Sequence, residues 1–311
     1  MVNTHSGVAA DAPFEAAYEP ITGRYMRVEI TGVPHRIYVE EAGAGIPLLC
    51  LHTAGTDGRQ FRDLLNDAAV TAHYRVIVFD LPWHGKSSPP AGFQNQQYQL
   101  TQQYYLDSIM AVVRALRLDR PVVIGCSIGG RAVLHLLLHY ASEFGAAIGL
   151  QTSRNAPGKL RQQTHETGYL DRPDVNGSEA AAAWLSGIMA PQSPAAERWE
   201  TLWHYMQGGP GVFYGDTLYY REGGDIDAEQ LRRIDTSRTP LYLLTGEYDY
   251  SARPEQTEEV AQHIPGARFQ RMERLGHFPM SENYPWLRSY LLPVLAELHA
   301  ARAGTSSEET S

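Results

Sequence analysis

One stretch constrains this chain more than any other: Pro121 to Gly130, which reads Pro-Val-Val-Ile-Gly-Cys-Ser-Ile-Gly-Gly. Pro121 to Ile124 has the pattern of a short strand buried on both faces. Ile128, Val133, Leu134, Leu137 and Leu138 recur at the spacing of a helix with one apolar face. Between them Gly125-Cys126-Ser127-Ile128-Gly129 forms a G-x-S-x-G at a strand-to-helix junction. A chain that reverses so sharply forces its central residue into strained geometry. Glycines on either side remove the side chains that would collide across the turn, and the strand end lifts the serine hydroxyl clear of the sheet. The following helix points its free N–H groups at any negative charge beside the serine. A glycine-rich turn that merely packs is the competing reading, and the flanking strand and helix weigh against it.

The rest of the chain supplies the setting. Arg24–Ile30 and His35–Glu40 alternate apolar and polar residues around Gly32-Val33-Pro34, which predicts an antiparallel hairpin at a sheet edge. Ile46–Leu51, Arg75–Phe79, Ala146–Leu150, Pro240–Thr245 and Ala267–Met272 read as further strands. Helical patterns lie between them, at about Leu100–Leu116, Pro254–Ile264 and Glu282–His299. Strands alternating with helices in this way predict an α/β fold with a mostly parallel central sheet flanked by helices. From residue 153 to 235 the rhythm breaks into helical pieces without strands, rich in Trp, Tyr, Met and Phe, which predicts an inserted helical cap. The expected organisation is a flexible arm at 1–20, a core of 21–152 and 236–302, the cap at 153–235, and a disordered tail at 303–311. At 311 residues the chain is long enough for such a core with an insertion.

Charge and composition narrow the classes. A formal net charge of −9 without a long basic run argues against nucleic acid as a partner. The chain has no apolar run of membrane-spanning length and no visible secretory leader, so the expectation is a cytoplasmic protein without a membrane role. Two cysteines, Cys50 and Cys126, both end apolar strands and read as small buried residues in a reducing compartment. Histidines and carboxylates are scattered without metal-ligand spacing, and no dinucleotide fingerprint opens the first βα unit, so no metal or organic cofactor is implied.

A serine hydroxyl needs a base within reach, and that base is usually held by an acid. In a sheet of this kind both belong on loops at strand carboxyl ends. The strand ending at Thr245 runs into Gly246-Glu247-Tyr248-Asp249, and the strand ending at Met272 into Leu275-Gly276-His277-Phe278-Pro279. The candidate catalytic residues are therefore Ser127, Asp249 and His277, with Glu247 the competitor of Asp249. The position after Ala146–Leu150 reads Gln151-Thr152-Ser153 and offers no carboxylate. An oxyanion formed at the serine needs preorganised donors. One is the backbone N–H of Ile128. The other belongs to the loop His52-Thr53-Ala54-Gly55; it is assigned to Ala54, with Thr53 the competitor. His52 reads as a brace of that loop.

Together these residues resemble the α/β-hydrolase superfamily, from about residue 24 to residue 300. The elbow, the Asp80-Leu81-Pro82-Trp83-His84-Gly85-Lys86-Ser87 turn, the Gly246–Asp249 loop and the Leu275–Pro279 loop fall in the family's order. The resemblance implies a capped serine esterase or a related carbon–carbon hydrolase, with a small molecule as its partner; it says nothing of oligomeric state. Ser127 stands where epoxide hydrolases and haloalkane dehalogenases of this fold carry Asp, which argues against those chemistries. Thr53 departs from the family's His-Gly-x-x, and its β-branch restricts the backbone there.

The expected function is hydrolysis of a carboxylic ester or lactone of an apolar or aromatic small molecule through an acyl-enzyme. Trp184, Met189, Trp203, Met206 and Phe278 are the candidate substrate contacts; ordinary packing of the cap is the alternative for them. The enzymatic rival is a carbon–carbon hydrolase of a ring-cleavage product. Such an enzyme usually holds a substrate carboxylate with a cation or amide, and Arg131, Arg154, Lys159 and Arg161 are candidates, each otherwise a solvated surface charge. A non-catalytic binding protein on the same fold is the third reading.

Overall fold

A computed structural model describes residues 16–155, 168–172 and 174–308. Most of the expected N-terminal arm, residues 1–15, lies outside them, as do Lys159 and Arg161. The elements in chain order are β1 (Thr22–Ile30), β2 (Val33–Ala42), β3 (Ile46–Leu51), α1 (Arg62–Asn66), α2 (Ala68–Thr71), β4 (Tyr74–Phe79), α3 (Gln102–Ala115), β5 (Val122–Cys126), α4 (Ile128–Tyr140) and β6 (Ala146–Leu150). After β6 come α5 (Gly177–Leu185), α6 (Ala195–Met206), α7 (Val212–Thr217) and α8 (Ala228–Arg232). The sheet then resumes with β7 (Leu241–Gly246), α9 (Pro254–His263), β8 (Arg268–Met272), α10 (Pro279–Glu282) and α11 (Tyr284–Glu308).

The eight strands lie in the order β1-β2-β4-β3-β5-β6-β7-β8. β1 and β2 pair antiparallel at one edge, as expected of the hairpin, and β2 pairs antiparallel with β4. From β4 to β8 every pairing is parallel. The central strands are covered on both faces, which is why they read as unbroken apolar runs. The two-residue period divides each of them between two cores: Leu49, Leu51 and Val123 join one, while Leu48, Cys50, Ile124 and Cys126 join the other.

Helix ends follow local chemistry. The Thr101 hydroxyl caps α3 by accepting from the Tyr104 N–H, and Asp227 starts α8 in a reciprocal capping box with Gln230. α11 runs on to Glu308, where a disordered tail from residue 303 was expected. Among the described residues no helix is long and apolar enough to cross a membrane.

The helical region between β6 and β7 covers the carboxyl ends of the parallel strands. Tyr205 and Asp216 meet the loop after β3, Tyr220 meets the residue after β5, and the Ile188 carbonyl accepts from the His277 N–H beyond β8. It is a cap over one edge of the sheet.

Candidate active site

Ser127 sits between β5 and α4 with φ +58° and ψ −112°, a left-handed conformation that costs a non-glycine residue about 1–3 kcal/mol. The turn is possible because of its two glycines. A Cβ on Gly125 would stand 2.4 Å from the Gly129 backbone, and one on Gly129 would stand 2.7 Å from the Leu51 carbonyl. The Ser127 N–H is tied to the Leu150 carbonyl at 3.0 Å, so the elbow is fastened to β6. Of residues 121–137, Ser127 alone is not buried. The fold therefore spends strain to bring one hydroxyl to the surface of an otherwise closed core.

His277 and Asp249 meet as a buried pair. The His277 Nδ1 lies 2.7 Å from Asp249 Oδ2, and Asp249 Oδ1 accepts from the N–H groups of Ser251 at 2.7 Å and Ala252 at 2.9 Å. An acceptor on Nδ1 places the ring proton there and leaves Nε2 as the basic nitrogen. Glu247 is bypassed: its loop turns so that Asp249, not Glu247, faces the imidazole. Cys126 lies next to the same loop, its Sγ 3.3 Å from the His277 carbonyl, so the elbow and the histidine loop are neighbours. The Cys126 thiol is fully buried, and that burial raises its pKa well above the ordinary thiol value. It packs inward.

Two braces hold the histidine loop. The amide of Gln151, which itself has φ +52°, bridges the acid and base loops by accepting from the Gly246 N–H at 3.0 Å and donating to the Gly276 carbonyl. Glu282 Oε1 accepts from the N–H groups of Gly276 and Ala190 and from the Ser193 hydroxyl, tying the histidine loop to the cap. Burial pushes the Glu282 carboxyl up to about 7 against the hydrogen bonds that favour its charge. Gly276 admits this contact because it has no side chain: a Cβ there would stand 2.6 Å from the Ala190 nitrogen and the Ile188 oxygen.

The loop after β3 distinguishes the two candidate donors. The Thr53 N–H donates to Gln60 Oε1 at 3.0 Å, and the Gly55 N–H donates to Asp216 Oδ2 at 2.6 Å. Among the described residues the N–H of Ala54, between them, has no acceptor, and neither does the N–H of Ile128 at the start of α4. Asp216 also accepts from Tyr98 Oη at 2.7 Å and His84 Nε2 at 2.8 Å. Burial alone would lower the pKa of His84, but the charge and hydrogen bond of Asp216 outweigh it and raise it. His52 braces the loop through its Nδ1 to the Thr53 carbonyl at 2.8 Å and its Nε2 to the Leu81 N–H at 3.1 Å. Burial first, then the neighbouring His84, lowers its pKa to about 4, so the ring is neutral.

The candidate substrate contacts separate into two groups. Trp184 and Trp203 are 46% and 59% exposed, which corrects their expected inward placement. The helical period explains it: α6 buries Thr201, His204 and Tyr205, and Trp203 falls on the opposite side, while α5 buries Ala181 and Ala182 and turns Trp184 outward. Phe278 and Met189 are buried in one cluster with Tyr205, and the Phe278 ring stands edge-on to His277 at 4.9 Å. Met189 and Met206 also line a cap cavity of about 380 Å³ with Leu202, Trp199 and Arg198.

Other positions escaped the sequence reading. Tyr205 is fully enclosed, with its hydroxyl against Thr53 Oγ1, and Tyr220 holds its hydroxyl 3.3 Å from Ser127 Oγ. Only the density of aromatics in the cap signalled either. Asp216 and Gln151 carried no signal, since each acts through partners far away in the chain, and Gln60 carried none although it bonds Thr53 only seven positions away. The two candidate cations among the described residues are engaged. Arg131 is buried and bonds Ser153 and Asp225, and Arg154 pairs with Glu259 at 2.9 Å.

A profile described as the alpha/beta hydrolase family matches residues 48–287. A proline iminopeptidase of Lactobacillus crispatus (strain ST1) is 20% identical over 264 residues, covering 76% of this chain and 85% of that protein. A 2-hydroxy-6-oxo-6-phenylhexa-2,4-dienoate hydrolase of Burkholderia cepacia is 27% identical over 133 residues, covering 42% of this chain and 45% of that one. Among solved structures, a thermophilic esterase from Thermogutta terrifontis superposes with a TM-score of 0.78 at 18% identity, covering 89% of this chain and 99% of that one.

Proposed function

Because the chain belongs to the alpha/beta hydrolase family, we propose that it hydrolyses carboxylic esters or lactones of small apolar molecules as a serine hydrolase. The observation that carries this reading is Ser127, strained and open at the sheet's carboxyl edge, beside a loop that holds a buried His277–Asp249 pair. In the proposed reaction His277 Nε2 takes the proton of Ser127 Oγ as that oxygen attacks the acyl carbon. The resulting oxyanion is held by the N–H groups of Ile128 and Ala54, which have no other acceptor among the described residues. The imidazolium, stabilised by Asp249, returns its proton to the leaving alcohol. A water molecule then repeats the sequence on the acyl-enzyme, losing its proton to His277 and releasing the acid from Ser127. The apolar portion of the substrate is assigned to the side of the site where Phe278, edge-on to His277, packs in one cluster with Met189 and Tyr205. Two unpaired, buried cysteines suit a reducing compartment such as the cytoplasm.

The test is release of p-nitrophenol from esters of increasing acyl length by wild type and Ser127→Ala. A fall of about 10⁴-fold or more in kcat is expected for a lost nucleophile. A well-folded wild type without activity on any ester would shift the assignment to the second reading, cleavage of a carbon–carbon bond in a ring-fission product. The likeness to the dienoate hydrolase favours that alternative over a limited stretch. Arg131 and Arg154 are committed to other partners, but Arg221 has a buried Nε and Nη2 without hydrogen-bond partners among the described residues. Arg221 is assigned as a candidate for a substrate carboxylate, beside Arg198, whose Nε is likewise buried without a partner among the described residues. Turnover of such a dienoate, lost in Arg221→Gln, would support the second reading.

A further inference from the structure

Three side chains on α4 and its cap residue form one stripe four residues apart: Ser127, Arg131 and His135. All three meet the cap segment 220–225. Ser127 Oγ lies 3.3 Å from the Tyr220 hydroxyl. The Arg131 guanidinium sits 4.7 Å from the centre of the Tyr220 ring, and its Nη1 bonds Asp225 at 3.2 Å. His135 Nε2 donates to the Gly224 carbonyl at 3.1 Å while its Nδ1 accepts from Gln102. Arg131 is in turn fixed from the core side, by the Ser153 carbonyl and hydroxyl, each at 2.9 Å. The cap segment is thus stapled along the helix that begins at the elbow. The tyrosine at its near end is clamped between a buried guanidinium and the serine.

We propose that Tyr220 is a catalytic residue, whose hydroxyl donates a hydrogen bond to Ser127 Oγ while that oxygen bonds to and leaves the acyl carbon. The inference rests on the reading of Ser127 as the nucleophile. On that reading the single proton of Ser127 goes to His277 Nε2, which leaves Oγ to accept the hydrogen bond of the tyrosine hydroxyl 3.3 Å away. During attack the Oγ–H bond breaks toward His277 Nε2 and the Oγ–carbon bond forms. During deacylation the Oγ–carbon bond breaks and His277 returns the proton. The Tyr220 O–H bond stays intact throughout, stabilising charge on Oγ at both crossings. Burial raises the pKa of Tyr220 above the ordinary phenol value, so the group keeps its proton over the working pH range. Because the tyrosine comes from the cap, a correctly seated cap becomes part of the catalytic apparatus as well as a cover.

Tyr220→Phe tests this, since it preserves the ring beneath Arg131 and removes the hydroxyl alone. Wild type, Tyr220→Phe and Ser127→Ala are compared for their rate of covalent labelling by a fluorophosphonate, for kcat and KM on a p-nitrophenyl ester, and for thermal midpoint. The expected result is labelling of wild type and none of Ser127→Ala. In Tyr220→Phe both the labelling rate and kcat fall about 10- to 100-fold, as for loss of a donor to a charged oxygen, with KM and thermal midpoint unchanged. Labelling and kcat within about twofold of wild type would overturn the proposal and leave the hydroxyl a packing contact. A wild type that is not labelled at all would overturn the nucleophile reading first, and this inference with it.

Discussion

The loops at the strand ends and the cap above them obey different rules, although both contribute side chains to the same candidate site. Ser127, Asp249 and His277 each follow a strand of a parallel sheet, so the register of β5, β7 and β8 sets where each loop begins. A strand that ends in the core delivers its next residue to the edge, whatever the loop does afterwards. The cap has no such frame. Its helices turn a residue inward or outward according to a rotation of 100° per position, and what lies opposite depends on packing across tens of residues. Tyr205 and Trp203 differ by two positions on α6, yet one is sealed against Thr53 and the other faces solvent. Position along the chain is thus strong evidence at a strand end and weak evidence in a cap helix.

The sharpest way to break that contrast is at the acid loop. Asp249→Asn is expected to lower kcat about 10³- to 10⁴-fold on an aryl ester, because an amide at this place favours the wrong imidazole tautomer. Glu247→Gln, two residues away, should stay within about twofold. Equal losses in the two variants would mean that strand-end placement does not identify the acid.

The junction between the two regions is probed by pH. Glu282 carries a pKa raised from 4.5 to about 7 in the fold. A carboxyl that holds its proton more tightly when folded supports the fold most fully at low pH. It loses that support as pH rises from the unfolded value to the folded one. Chemical denaturation of Glu282→Gln should therefore show a gain relative to wild type that grows between about pH 4.5 and 7, by about 3 kcal/mol, and then levels off. A pH-independent difference would place the carboxylate's charge, rather than its neutral form, in the clamp on Gly276 and Ala190. The smallest effect is expected on the cap's outer face: Trp203→Ala should change stability by less than about 0.5 kcal/mol and leave KM unaltered. A several-fold rise in KM would return Trp203 to the pocket.

Much of the candidate site is legible in the chain itself. The G-x-S-x-G is readable because its glycines, its flanking strand and its helix lie within a few residues, and the steric demand that joins them is local. The same holds for His277 and Asp249, each only a short step beyond an apolar run. The candidate donor is assigned to Ala54, with Thr53 left as its competitor. The reason is Gln60, whose amide oxygen occupies the Thr53 N–H, and nothing in the spacing of residues 53 and 60 announces that bond.

What the chain determined by itself is therefore the alternation of apolar runs with amphipathic helices, and with it the sheet, its carboxyl edge and the loops that end there. Those features arise from interactions between near neighbours and from burial patterns of period two or 3.6. The tertiary structure alone decided which cap residues meet that edge: Asp216 on the Gly55 N–H, Tyr205 on Thr53, Tyr220 on Ser127. Each pair spans 93 to 161 positions of chain. Over such distances a hydrogen bond leaves no periodic trace, because either partner alone looks like any other polar residue until the packing brings them together.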